Sequence, residues 1–281
     1  MLGSPFMLRA LSVAVLVGVC APVIGTYLVQ RRLALLGDGI GHVALTGVAL
    51  GWLVGATVNM SDKAILAVPG AVIMSIVGAV AIEIVRERGQ TSGDVALALL
   101  FYGGIAGGVL LIGVAGGTTT NLNGYLFGSI ASVSSFDVWL TAGLALVILT
   151  IGLGLRPALF SLCHDEEFAK ASGLPVRALT ILIAVVSALT VSTSMRVVGV
   201  LLVSALMIVP VAITQLLSVS FRSTMGWSMA LGALLCVGGL VISYLYPVSS
   251  GATIVVLAVG LYMLVAMLRP LLLRTKTRIG R

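Results

Sequence analysis

Runs of about twenty uncharged, mostly apolar residues recur along the whole chain, and they restrict its fold more than any other feature. A helix that crosses a bilayer needs about 20 such residues. The 281-residue sequence supplies them at 8–29, 33–55, 64–85, 94–115, 136–158, 177–194, 197–217, 224–245 and 252–268. Backbone groups in hydrocarbon must be paired within their own segment, so each run reads as a helix. Nothing resembles the ~10-residue alternating strands of a membrane barrel. Only 9% of the residues are charged, against about 25% in a soluble domain, which is too few to solvate a core of this size. The expected fold is all-α: one polytopic helical bundle over residues 1–281 with about nine transmembrane helices. The count drops to eight if 177–217, broken only at Ser194–Arg196, merges or is re-routed.

Basic residues set the orientation. With the Arg31–Arg32 loop in the cytoplasm and strict alternation after it, thirteen of the sixteen Lys and Arg residues fall on the cytoplasmic side. The positive-inside rule therefore places the N-terminus outside and the C-terminus inside a cell membrane. The net charge of +7 is spread over short loops and the tail, so it predicts no nucleic-acid partner. The first apolar run, from about Leu8 to Val29, is longer than the core of a typical signal peptide and reads as a retained helix. Cys20, Cys163 and Cys236 show no metal-site spacing and read as small packing residues.

Two loops stand out. Residues 116–135 carry no charge, and the apolar centre at Tyr125–Ile130 fits either a short re-entrant half-helix or a surface loop. Residues 159–176 are cytoplasmic and punctuated like a short helix near 164–174. Asp165, Glu166 and Glu167 favour its N-terminal end and Lys170 its last turns. Gly173 suits the left-handed position after the helix, and Pro175 blocks continuation. This segment is a docking element or a plain connector. Small-residue stripes at Gly47, Gly51 and Gly55, and at Gly104 and Gly108, predict close helix contacts.

Few residues inside the runs can carry chemistry. Asp38 and His42 lie four apart and share one helix face, which Thr46 extends by a turn. Ionisable groups at membrane depth face the bundle interior or a wet path. A carboxylate and an imidazole one turn apart can share a zinc, manganese or ferrous ion. Two ligands make a partial site, which suits conduction, where release matters as much as capture. The same pair suits a proton relay in a secondary transporter, or a structural hydrogen bond. Pro210 sits mid-run, where it kinks the helix and either shapes a path or simply curves it. Glu83, beside Arg86, is expected to reach interfacial water, Asp94 and Asp137 to begin helices, and His164 to be solvated. No G-x-x-x-x-G-K-[ST] segment occurs, so any ATP hydrolysis belongs to another subunit.

Four segments together resemble the permease subunits of metal-ion ABC importers, of the ZnuB, MntB and TroC type. They are GDGIGHVALTGVALG at 37–51, NGYLFGSI at 123–130, DEEFAKASGLPV at 165–176 and GVLLVSALMIVPVAITQLL at 199–217. The resemblance runs from about residue 8 to 268. It implies that Asp38 and His42 line a metal path, and that Glu166, Ala169 and Gly173 belong to a coupling helix docking on an ATPase. It further implies a second copy of the chain, two ATPase subunits and an extracytoplasmic metal-binding protein as partners. No tightly bound cofactor is implied; the divalent metal is cargo, and the partner uses the ATP. Gly39 and Gly41 stand where this family often has serine or other small residues, and Thr214 and Gln215 where Ala and Arg are expected.

Overall fold

A computed structural model describes residues 5–58, 66–87, 93–114, 124, 126–128 and 133–279. Its long elements are helices: α1 (Pro5–Gln30), α2 (Leu36–Thr57), α3 (Ala67–Glu87), α4 (Gly93–Val114), α5 (Ser135–Gly154), α6 (Arg156–His164), α7 (Glu166–Ala171), α8 (Val176–Val198), α9 (Val200–Leu217), α10 (Phe221–Leu245) and α11 (Ser250–Ile279). Among the described residues, eight helices are long and apolar enough to cross a membrane, and the ninth expected span, on α9, holds the shorter apolar stretch Leu202–Leu217. The described residues of the nine expected runs are helical except at 33–35, Leu155 and Gly199. The break between the sixth and seventh falls at Gly199, a few residues after Ser194–Arg196, and this glycine has φ +90°.

The helices form two groups. In one, α2 is flanked by α3 and α4; in the other, α1 packs on α5, α9 and α10, with α11 against α9 and α10. Helix α8 touches both groups, and α9 also meets α2. Burial follows this plan: α2 and α8 are the most enclosed spans after which α1 comes, while α4 and α11 lie at the edge. Leu99, Tyr102, Leu110, Val114, Val256 and Met267 all project outward. A helix that is apolar on its exposed side needs lipid as its solvent.

Glycine sets the spacing within the first group. A Cβ on Gly47 would overlap the carbonyl of Gly70, and one on Gly51 the carbonyl of Leu66. A Cβ on Gly104 would lie 2.7 Å from the backbone of His42 and Val43. Both stripes therefore work as expected: Gly47 and Gly51 admit α3, and Gly104 and Gly108 admit α2.

The connection between the fifth and sixth expected spans differs in one respect from the sequence expectation. The span expected at 136–158 stops at Gly154, and Arg156–His164 forms a separate short helix, with Pro157 in its first turn. Helix α7 then has the predicted punctuation. Asp165 accepts a hydrogen bond from the Phe168 N–H, and Gly173 takes φ +78°. The Gly173 N–H donates to Lys170 and the Leu174 N–H to Ala169, which closes the helix end. Asp94 and Asp137 sit in first turns, the latter in a capping box with Ser134. His164 is exposed. Glu83 departs from expectation: it is buried, with Arg86 Nη1 at 3.1 Å, because the arginine folds back over it. All three cysteines are free.

Most of 116–135 lies outside the described residues. Its Leu126–Gly128 backbone is packed against Gly199, and the Phe127 carbonyl lies 2.7 Å from where a Cβ on Gly251 would sit. The Ser249 hydroxyl donates to that carbonyl at 3.0 Å.

Gly47→Val is expected to push α2 from α3 and to lower the unfolding temperature in detergent, overpacking costing about 1–3 kcal/mol. Gly103→Ala, where a Cβ meets nothing within 4 Å, should leave it unchanged or raise it. Thermal unfolding followed by circular dichroism distinguishes the two.

Candidate metal path

The Asp38–His42–Thr46 face of α2 lies at the seam between the two helix groups, and each residue meets a different partner. Asp38 lies in the first turn of α2, where the macrodipole favours a carboxylate. The Ser204 hydroxyl, from α9, donates to its Oδ1 at 2.9 Å. One turn on, His42 is 2% exposed and meets Phe101 of α4 edge-on, with ring centroids 4.3 Å apart. Another turn on, the Thr46 hydroxyl donates to the Gly104 carbonyl at 2.8 Å.

These contacts follow from glycine positions around the face. Gly41 lets α9 start close by: a Cβ there would lie 3.2 Å from the Val200 carbonyl. Gly37 faces Met207 and Ser204, so α2 and α9 run antiparallel here. Gly39 faces Leu100 of α4, a Cβ there falling 3.2 Å from its Cδ2. A side chain at 39 or 41 would make these contacts tight, and the neighbour would have to give by a few tenths of an ångström.

The polar groups of this face differ in how they are satisfied. Asp38 and Thr46 each have a partner. His42 Nδ1 does not; among the described residues it is the one buried side-chain nitrogen or oxygen lacking a hydrogen bond. Leaving such an atom unpaired costs about 1–3 kcal/mol. A neutral imidazole nitrogen with no partner is a free ligand atom. Among the described residues no three His, Cys, Asp or Glu side chains converge. Among the described residues the face offers two such ligands, too few for a closed structural site.

Pro210 is not brought to this face. It is buried within α9, six residues past Ser204, or about 9 Å along the axis. Because α9 runs antiparallel to α2, that displacement carries it beyond the start of α2. Thr214, one turn further, donates its hydroxyl to the Pro210 and Val211 carbonyls at 3.0 Å each.

The three residues expected to couple to an ATPase have distinct places on and after α7. Ala169 is fully buried and seats α7 on the bundle, and Gly173 ends it. Glu166 binds Arg31 of the α1–α2 corner at 3.2 Å and Lys170 at 3.3 Å. The large apolar side chain that α7 presents outward, among its exposed charged residues, is Phe168, 62% exposed. Sequence reasoning missed Ser204, Phe101 and Arg31. A serine and a phenylalanine within apolar runs give no signal until the helices are assembled, and Arg31 counted only as a topogenic charge.

Comparison with known proteins agrees with this architecture. The ABC 3 transport family matches residues 3–269. The chain belongs to that family. It is 34% identical to the manganese transport system membrane protein MntC of Halalkalibacterium halodurans, over 96% of this chain and 89% of that one. It is 26% identical to the high-affinity zinc uptake system membrane protein ZnuB of Haemophilus influenzae, over 91% and 94%. PsaBC from Streptococcus pneumoniae, solved in complex with Fab, superposes with a TM-score of 0.82 at 31% identity, covering 94% of this chain and 92% of that one. This member of the family is a multi-pass membrane permease and not an enzyme.

A residue retained for transport at a cost in stability separates from a structural one by unfolding. His42→Leu is expected to leave the thermal midpoint in detergent unchanged or raised, since it removes an unpaired buried nitrogen. Thr46→Val, which removes an interhelical hydrogen bond, should lower stability by about 0.6 kcal/mol.

Proposed function

We propose that this chain is the membrane-spanning subunit of an ATP-driven importer that carries a divalent transition-metal ion, zinc, manganese or iron, into the cytoplasm. The observation that carries the proposal is the unpartnered His42 Nδ1, buried one helical turn from Asp38 in a chain of the ABC 3 transport family. The relatives named for manganese and zinc transport support the same cargo class.

In the proposed cycle an extracytoplasmic binding protein delivers the ion to the outer end of a pair of these chains. The ion meets His42 and Asp38 in turn, and leaves because two protein ligands hold it only weakly. An ion that binds Oδ1 of the half-buried Asp38 meets the Ser204 hydroxyl there, which links capture at this carboxylate to the contact between α2 and α9. ATP is hydrolysed by two partner subunits on the cytoplasmic side. Helix α7 meets them there: Ala169 holds it to the bundle, Gly173 fixes its length and Phe168 projects toward the partner. The N-terminus lies outside and the C-terminus inside. The cytoplasmic loop ends carry ion pairs that join them to one another, Arg31 with Glu166 and Arg177 with Glu87, as a basic inner rim would.

The test is cellular metal content by elemental mass spectrometry. Cells lacking the gene, grown under metal limitation, are complemented with wild type, Asp38→Ala or His42→Ala at matched expression. Wild type should restore one metal and both variants should fail. Restoration by the variants would remove the pair from the path. Uptake driven by a pH gradient without an ATPase subunit would make the chain a proton-coupled carrier instead.

A further inference from the structure

The α1–α2 corner holds an arginine whose placement is not explained by membrane orientation alone. Arg31 is a loop residue at the cytoplasmic end, yet its side chain is only 11% exposed. Its guanidinium donates to Glu166 of α7 at 3.2 Å and to the Thr180 hydroxyl of α8 at 3.0 Å. It therefore joins the short cytoplasmic helix, the helix shared by both groups, and the corner linking α1 in one group to α2 in the other.

The corner itself has little slack. The Arg31, Arg32 and Leu33 N–H groups donate to Tyr27, Val29 and Leu28, and Leu36 N–H donates to Leu33. Arg32 adopts φ +57°, the left-handed position that glycine usually fills after a helix. Leu33 and Leu36 are buried. A displacement of Arg31 is thus carried into the first turn of α2, where Asp38 lies seven residues on and meets Ser204 of α9.

We propose that Arg31 is the positioning residue through which α7 moves the Asp38 helix. The proposal rests on the importer function above and adds the route by which events at the ATPase reach the path. A shift of α7 draws Glu166, Glu166 draws Arg31, and the corner turns the start of α2 against α9. Glu166 is half exposed and already has Lys170, so its carboxylate does not depend on Arg31 for a partner. A forked guanidinium with one branch on each of two helices is suited to directional linkage.

The experiment reconstitutes the complex with its ATPase and metal-binding protein in proteoliposomes and measures metal ions accumulated per ATP hydrolysed. Arg31→Met, which keeps the apolar stem, and Glu166→Gln should each lower that ratio about fivefold or more, the scale of a typical coupling between sites. The double variant should fall no further than Arg31→Met alone, because the two act through one contact. If Arg31→Met is not recovered from the membrane, Glu166→Gln decides by itself. An unchanged ratio, or losses that multiply in the double variant, overturns the inference while leaving the importer function standing. A wild-type complex that accumulates no metal overturns both.

Discussion

A peptide group in hydrocarbon has no water to pair with, and from that single constraint most of this structure follows. The chain must be helical wherever it meets lipid. Once every spanning element is a helix, burial of apolar surface no longer distinguishes one arrangement from another, since lipid is as apolar as leucine. Close approach decides instead. Helix α2 is held at backbone distance from α3 by Gly47, Gly51 and Gly70, and from α4 by Gly104 and Gly108. The carboxylate, imidazole and hydroxyl of its polar face are thereby fixed against α4 and α9 without depending on any loop.

That fixation gives the face its asymmetry. Asp38 has a hydroxyl from another helix group, and Thr46 a carbonyl from its own. His42 lies between them with an open nitrogen. The seam between the two groups is also where α8 and α9 turn about Gly199.

The sequence made the helices legible because hydropathy and backbone pairing are local properties. The punctuation of helix α7 was legible, though the helix is shorter than the expected 164–174: Asp165, Gly173 and Pro175 act within a few positions of themselves. The shared face of Asp38, His42 and Thr46 was equally plain from their spacing. Partners across the bundle were not legible. Ser204 lies 166 positions from Asp38, and no periodicity relates them. Pro210 was readable as a kink but not as one displaced from the α2 face, because that depends on the antiparallel register of α2 and α9. Glu83 was expected at the interface, since its neighbour Arg86 can reach outward as well as fold back.

The segment at Leu126–Gly128 bears on how such a chain is made. Its backbone lies against Gly199 and beside Gly251, and Ser249 donates a hydrogen bond to the Phe127 carbonyl. Both docking surfaces are translated long after it. Synthesis delivers roughly 5–20 residues per second, so the segment waits for several seconds, at a minimum, with helices α1 to α4 already inserted and its seat not yet made. Docking of this segment is therefore a late event in biogenesis, completed only when the last span has left the ribosome.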